Sequence, residues 1–424
     1  MNQQRSALAV TLRVAIIVLA VIGTVLYTGG YFWGGLVLLA AGLTYLGYVF
    51  VSHGADGVRK RLVTAAQELV TPLVAIVIAL LIGAVVLVAT GFNPLVAYGA
   101  LFHGALIRNW HISVLNASPV ILTALSVAFA FKAGLFNIGA EGQYYVGAMA
   151  AAWISLYLPF PAIISIPIVV VFAAAMGAAW NIVPALLKVR TGAHEVITTM
   201  MLAHTARFLS NLFIRANGGD PATSSHPYRT TPINLNTEFP RFQQFMPEAN
   251  FRAHTGILLA IAVALLVHFV LTRTRIGFEI RAVGQNKDAA RAQGISVAKI
   301  TFVALLGAGA LSALAGVNQV NGLEHRLLQD LQANFGWNGI SVALLAGGNP
   351  IAIIFTGLLW GALDAGGQFM QRTTQITGSI VEMIKGLILF LIVARRHLFS
   401  IVRIWWLSRH AKPSSSDKTQ GVSA

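Results

Sequence analysis

The residues best placed to do chemistry in this sequence are polar groups set inside or at the start of apolar runs. Asn137, Glu141 and Gln143 open one such run, Glu195 opens another, and Asp364, Glu382 and Lys385 lie within two more. Polar and ionisable side chains are costly in lipid, so they face a bundle interior or a water-filled path. The first three have two readings. Either they form a polar break that shapes a gate or a translocation path, or they mark a helix start, with Asn137 as its N-cap and Glu141 in a first turn favoured by the helix dipole. Glu195 has the same two readings. Glu382 and Lys385 are three residues apart, so they share a helix face, either as a structural pair that neutralises itself or as an ion relay. Asp364 stands beside Gly361, Gly366 and Gly367, small residues that let helices approach, and so points into a packed interface or a pore. Trp337 and Asn338 begin a short apolar segment, where the Trp is either an interfacial anchor or a ring that stacks on a solute.

None of these groups makes an ordered nucleophile–base arrangement. His194, His204 and His268 lack metal-ligand spacing, and the chain has no cysteine, which removes disulfides, thiolate metal sites and cysteine nucleophiles together. The phosphate-cradling pattern G-x-x-x-x-G-K-[ST] does not occur, so ATP, if it drives this protein, binds another polypeptide. The chain is therefore expected to carry no cofactor and no catalytic site of its own.

The elements that must position these residues follow from composition. Of 424 residues, 56% are hydrophobic and 10% charged; soluble chains carry roughly 25% charged residues. So little charge cannot cover a water-facing surface, and lipid must be the solvent for much of the chain. The net charge of +15 has two explanations, nucleic-acid binding or basic loops on the inner side of a membrane. Lys and Arg sit in short loops between apolar runs, which favours the second and argues against nucleic acid.

Runs of about 20 apolar residues, the length of a spanning helix, recur at 7–28, 31–51, 70–90, 114–131, 139–158, 162–187, 195–214, 255–271, 299–320, 337–347, 351–369 and 378–396. The expected fold is an all-α polytopic membrane protein of about 12 transmembrane helices. The run at 337–347 is short and reads as a tilted, broken or re-entrant segment. The first run shows no small-residue cleavage site and reads as a retained helix. With the N-terminus inside, Lys and Arg divide roughly 20 inside to 7 outside, and both termini are expected on the cytoplasmic side. Residues 52–69 read as a linker and 411–424 as a disordered tail. Residues 216–254 read as a long outside loop whose Tyr228, Phe239, Phe242, Phe245 and Phe251 make either a solvated cap or a docking surface.

The loop 272–299 is more than a basic connection. Lys287 to Gln293 favour helix and Gly294 is the expected stop, because glycine takes the left-handed conformation cheaply. A short amphipathic helix outside the membrane can dock into a groove of a soluble partner. This stretch resembles the coupling loop of permeases in bacterial ATP-binding-cassette importers. Three further stretches resemble the ribose and branched-chain amino-acid permease group, in its nucleoside and simple-sugar branch: GLFNIGAEGQYYVGAMAAAW at 134–153, GAHEVITTMML at 192–202, and FGWNGISVALLAGGNP at 335–350. His194 stands where the related run usually has Asn. The four matches fall in the family's order over about residues 62–400.

The resemblance implies a core of about ten spans of the type II importer kind, with an added helical pair in 1–61 and a tail in 401–424. It also implies a second permease subunit, two cytoplasmic ATPase subunits that bind ATP and Mg, and an extracytoplasmic substrate-binding protein. It assigns Gly284, Gln285, Asn286, Ala289, Ala290 and Gly294 to contact with the ATPase. Asn137, Glu141, Gln143, Glu195, Trp337, Asn338 and Asp364 become candidates for the substrate path or gate. The implied cargo is a nucleoside, with a simple sugar as the alternative. An ion-coupled secondary transporter would need inverted repeats and broken-helix ion sites, and the two halves show no clear repeat. An intramembrane enzyme would need paired catalytic residues, which the sequence does not offer.

Overall fold

Apolar runs fold as helices because a backbone in lipid can satisfy its own N–H and C=O groups only in a helix or a closed barrel. A computed structural model of the protein describes residues 77–216, 228–244, 252–329, 331 and 334–391. The runs at 7–28 and 31–51 and the tail at 411–424 lie outside the described residues. Residues from Ala79 onward form a compact unit of their own.

In chain order the helices are α1 (Val77–Ala89), α2 (Pro94–His103), α3 (Trp110–Lys132), α4 (Ala140–Tyr157), α5 (Ala162–Trp180) and α6 (Ile182–Thr191). Then come α7 (Glu195–Ala216), α8 (Gly256–Arg273), α9 (Arg275–Gln285), α10 (Lys287–Ala292), α11 (Val297–Val317), α12 (Phe335–Leu345) and α13 (Pro350–Thr374). A further helix, α14, occupies 378–391. Among the described residues the only extended pairings are two isolated bridges, Arg229 with Leu328 and Arg241 with His254.

Among the described residues, five helical stretches are long and apolar enough to cross a membrane, which makes this a multi-pass membrane protein. They differ sharply in surroundings. The apolar window of α3 is 89% buried, whereas that of Ala162–Thr191 is 22% buried. α3 is therefore the axis of the bundle: α13, α11, α12 and α8 pack along it. α5 turns Ile163 and Val171 outward, as a lipid-facing surface requires. α4 and α7 are less apolar than these five, and α4 is nearly all buried, packed against α5, α7 and α11.

The sequence reading departs from this fold at four places. α2 was not expected, because ten apolar residues between Pro94 and His103 are too few for a span; it continues into a π-helical turn, Gly104–Arg108. The run at 162–187 is two helices broken at Asn181, which ends α5 and precedes α6. The loop 272–299 holds two helices, with α9 preceding the expected α10. α11 ends in a π-helical stretch, Asn318–Glu324, that carries three buried amides, Asn318, Gln319 and Asn321.

α12 is short, as expected. Its 11 residues rise about 16 Å, roughly half of a hydrocarbon core about 30 Å thick. Such an element survives at membrane depth only if protein covers its ends.

Candidate functional site

Asn137, Gln143, Ser126 and Asn181 meet in one closed cluster. The amides of Asn137 and Gln143 bond reciprocally, each donating to the other over 2.9 Å. Asn137 also donates to Ser126 at 3.0 Å, and Gln143 donates to Asn181 at 2.8 Å. The cluster is tied to α11 by Ser126, which donates to the Ala308 carbonyl, and by Asn181, which donates to the Leu305 carbonyl, both at 2.6 Å. All four side chains are almost wholly inaccessible. Buried amides are tolerated when such partners are present.

The N-cap reading of Asn137 does not hold. α4 is capped at Gly139, and the Asn137 oxygen accepts from the Gly139 N–H at 3.2 Å in the turn before it. The side chain is held away from the helix end by its pairing with Gln143.

Glu141 lies in the first turn of α4 but turns its carboxylate to a different helix. It accepts from the backbone N–H of Asn334 at 2.8 Å and of Gly336 at 2.6 Å. A helix start exposes unsatisfied N–H groups, and a carboxylate there satisfies them and complements the dipole. From α3, the Thr123 hydroxyl donates to the Phe335 carbonyl at 2.8 Å, and the Tyr145 hydroxyl donates to Leu331 at 3.1 Å. The start of α12 is thus gripped from α3 and α4. Gly336 is required here, since a β-carbon would overlap the backbone of Glu141.

Trp337 and Asn338 follow in α12 and, with Asp364, line one cavity of about 380 Å³ between α12, α13 and α14. Asp364 is held by Lys385, whose ammonium lies 2.6 Å from it and 2.6 Å from Glu382. Lys385 is buried and its ammonium also sits 5.2 Å from the centre of the Trp360 ring. The Glu382–Lys385 pair matches the reading from spacing, and Asp364 is a third member that spacing did not reveal.

Glu195 begins α7 and pairs with Lys188 of α6 at 2.7 Å. It is apart from the Trp337 cavity; it tethers two helix ends across the Gly192 turn.

In the α9–α10 loop, Gln285, Asn286, Ala289 and Ala290 line a second cavity of about 420 Å³, together with Phe278 and Arg281. Asn286 caps α10, accepting from the N–H groups of Asp288 and Ala289 at 3.0 Å each. Gly294 ends the element at φ +79°, as a glycine stop should. Gly284 faces the other way. A β-carbon on it would overlap the Lys132 carbonyl and lie 3.1 Å from the Gly134 nitrogen, so the loop touches the turn between α3 and α4 backbone to backbone.

Of the aromatic residues in the long loop, Phe239 is buried and Phe242 packs against the core, so neither offers an open docking face; Tyr228 is exposed. Phe245 and Phe251 lie outside the described residues. His254 and His325 sit here beside Arg241, which bonds His325 over 2.5 Å. Burial lowers the pKa of His254 to about 3 and that of His325 to about 4, with Arg241 adding to both. Among the described residues no group of His, Asp and Glu could hold a metal ion.

Sequence reasoning missed Ser126, Asn181, Lys188, Gln368 and Gln371. Two signals were available. Asn181 is a lone amide inside an apolar run, and Asp364, Gln368 and Gln371 follow i, i+4, i+7 spacing, which puts three polar groups on one face of an otherwise apolar helix.

Comparison with known proteins places the chain in a family. A guanosine ABC transporter permease protein of Bacillus subtilis is 32% identical over 338 residues, covering 78% of this chain and 95% of its own length. A nucleoside ABC transporter permease protein of Lactococcus lactis is 33% identical over 363 residues, covering 84% of this chain and 99% of its own. A glucose ABC transporter permease protein of Haloferax volcanii is 33% identical over 344 residues, covering 79% and 90%. No solved structure matches the chain. With a family model matched across residues 109–393, the chain belongs to the permease components of the branched-chain amino acid transport system family.

Proposed function

We propose that this chain is the translocating subunit of an ATP-driven importer of nucleosides. The observation that carries this is the match to the Lactococcus lactis nucleoside permease over nearly all of that protein's length. The similarly close glucose permease of Haloferax volcanii favours a simple sugar as the second reading. A permease of this kind works beside partner ATPase subunits that bind ATP and Mg, a second permease subunit and an extracytoplasmic binding protein. It lies in the inner membrane with both termini in the cytoplasm, on a ten-span type II core over 62–400 preceded by a helical pair in 1–61.

The proposed mechanism is alternating access by rigid-body movement. The α9–α10 loop sits on the ATPase, with Gln285, Asn286, Ala289 and Ala290 at the contact. Movement of the loop reaches the bundle through Gly284, which abuts the turn at Lys132–Gly134. That turn leads within three residues to Asn137 and so to the buried amide cluster. Glu141, on the same helix as Gln143, carries the displacement to the start of α12. Trp337, Asn338 and Asp364 then lie on the path, and the Lys188–Glu195 pair braces the inner end.

The test is ATPase activity and uptake by the reconstituted complex, with its ATPase and binding protein, during titration with guanosine, adenosine, uridine and ribose. Stimulation and uptake with a nucleoside are expected. Stimulation by sugar alone would move the cargo to the second reading.

A further inference from the structure

Importers of this architecture can receive cargo selected entirely by a separate binding protein, in which case the permease needs no site of its own. The cavity between α12, α13 and α14 is too specifically lined for a featureless path. At about 380 Å³ it falls within the range of small-molecule sites, roughly 300–1,000 Å³. Its wall carries the Trp337 ring and the amides of Asn338, Gln368 and Gln371. Among the described residues these three amides have no hydrogen-bond partner, in contrast to the closed Asn137–Gln143 cluster. An amide offers both donors and an acceptor, and Asn and Gln match the polar edges of a nucleobase. An indole offers a face on which any base can stack.

Charge narrows the ligand further. The acidic groups lining the cavity are Asp364 and Glu382, with Lys385 between them at 2.6 Å from each. Two carboxylates against one ammonium leave a net negative wall. Lys385 is spent on this pairing and buried, so no free cation faces a phosphate from these three groups. A wall of net negative charge is an effective device for rejecting an anionic competitor.

We propose that the cavity formed by Trp337, Asn338, Gln368 and Gln371, with the Asp364–Lys385–Glu382 trio behind it, is a binding site of the permease itself for an uncharged nucleoside and that it rejects nucleotides. This rests on the nucleoside reading above and adds a second point of selection after the binding protein. The base stacks on Trp337, the amides read its edges, and the trio repels a 5′-phosphate.

The experiment is equilibrium binding of radiolabelled guanosine to the nanodisc-reconstituted permease–ATPase complex without binding protein, with GMP and glucose as competitors, alongside uptake by the complete complex. Guanosine is expected to bind, with GMP competing at least tenfold more weakly. Trp337→Leu and Gln368→Leu are expected to weaken guanosine binding at least tenfold, while Trp337→Phe, which keeps a stacking ring, retains it and reports on folding. Wild-type binding by both leucine variants, or equal binding of GMP, would overturn the site. If the complete complex then still imports guanosine, the nucleoside reading survives its loss. Glucose uptake without nucleoside uptake would overturn both.

Discussion

The carboxylate of Glu141 accepts a hydrogen bond from the backbone N–H of Gly336 across 2.6 Å, joining the first turn of α4 to the first turn of α12. The same carboxylate holds the N–H of Asn334. One side chain thus does for α12 what an N-cap residue usually does from within its own helix. Glu141→Ala is expected to leave these donors unsatisfied at a cost of about 2–3 kcal/mol. Thermal unfolding of the solubilised protein should show a lower Tm for Glu141→Ala, with Glu141→Gln intermediate because an amide still accepts. An alanine variant as stable as wild type would show that the carboxylate does not hold α12.

Gly284 lies in the last turn of α9 and Gly294 just past α10, and under the proposed coupling role a bulky residue at either is expected, from sequence alone, to uncouple ATP hydrolysis from transport. The structure separates them. A β-carbon on Gly284 overlaps the Lys132 carbonyl, whereas one on Gly294 meets nothing within 4 Å and suffers only the strain of φ +79°. Gly284→Val should abolish uptake while ATPase activity persists. Gly294→Ala should cost about 1 kcal/mol and leave coupling largely intact. Equal loss of uptake in both variants would count against transmission through the Gly284–Lys132 contact.

Lys385 is the only cation of its trio and is buried at 2% exposure. Lys385→Met strands Asp364 next to Glu382, and breaking a buried pair by removing one partner costs about 3–5 kcal/mol. Asp364→Asn combined with Lys385→Met removes the stranded charge and should recover much of that loss. The two melting temperatures decide the matter: a double variant no more stable than Lys385→Met would mean that charge pairing is not what Lys385 contributes.

His254 and His325 predict acid sensitivity outside the spanning helices. Their folded pKa values, about 3 and about 4, lie below the unfolded value near 6.5. The unfolded chain therefore binds more protons between about pH 4 and 6.5, so stability rises with pH in that window. It is fully present above about pH 6.5 and declines as pH falls toward 4. Arg241 and Arg326 oppose the charged form of His325, and Glu238, 3.4 Å away, offers a partial counterion. Melting temperatures taken from pH 4.5 to 8 should fall on the acid side in wild type and less so in His325→Asn. Parallel curves for the two proteins would dismiss His325 as a source of the dependence.

What could be read locally was read well. Apolar runs announced most of the helices, because backbone satisfaction in lipid leaves few other structures. Lys287 to Gly294 announced a short helix with a glycine stop, and Glu382 with Lys385 announced an ion pair, since both depend on spacing within one element. The short run at 337–347 announced a short helix, found as Phe335–Leu345.

The partners of the stranded polar groups could not be read this way. Asn137 looks like an N-cap until Gln143, Ser126 and Asn181 are brought to it from three places in the chain. Glu141 looks like a first-turn acid until Gly336 arrives from another helix. Asp364 sits 21 residues from Lys385, beyond any helical period. Sequence by itself determined that these groups lie in apolar surroundings and must be satisfied, because burial without a partner is too costly to persist. Only the tertiary structure decided which partner each one takes, because that choice depends on which helices pack together, and side-chain spacing along one helix carries no record of its neighbours.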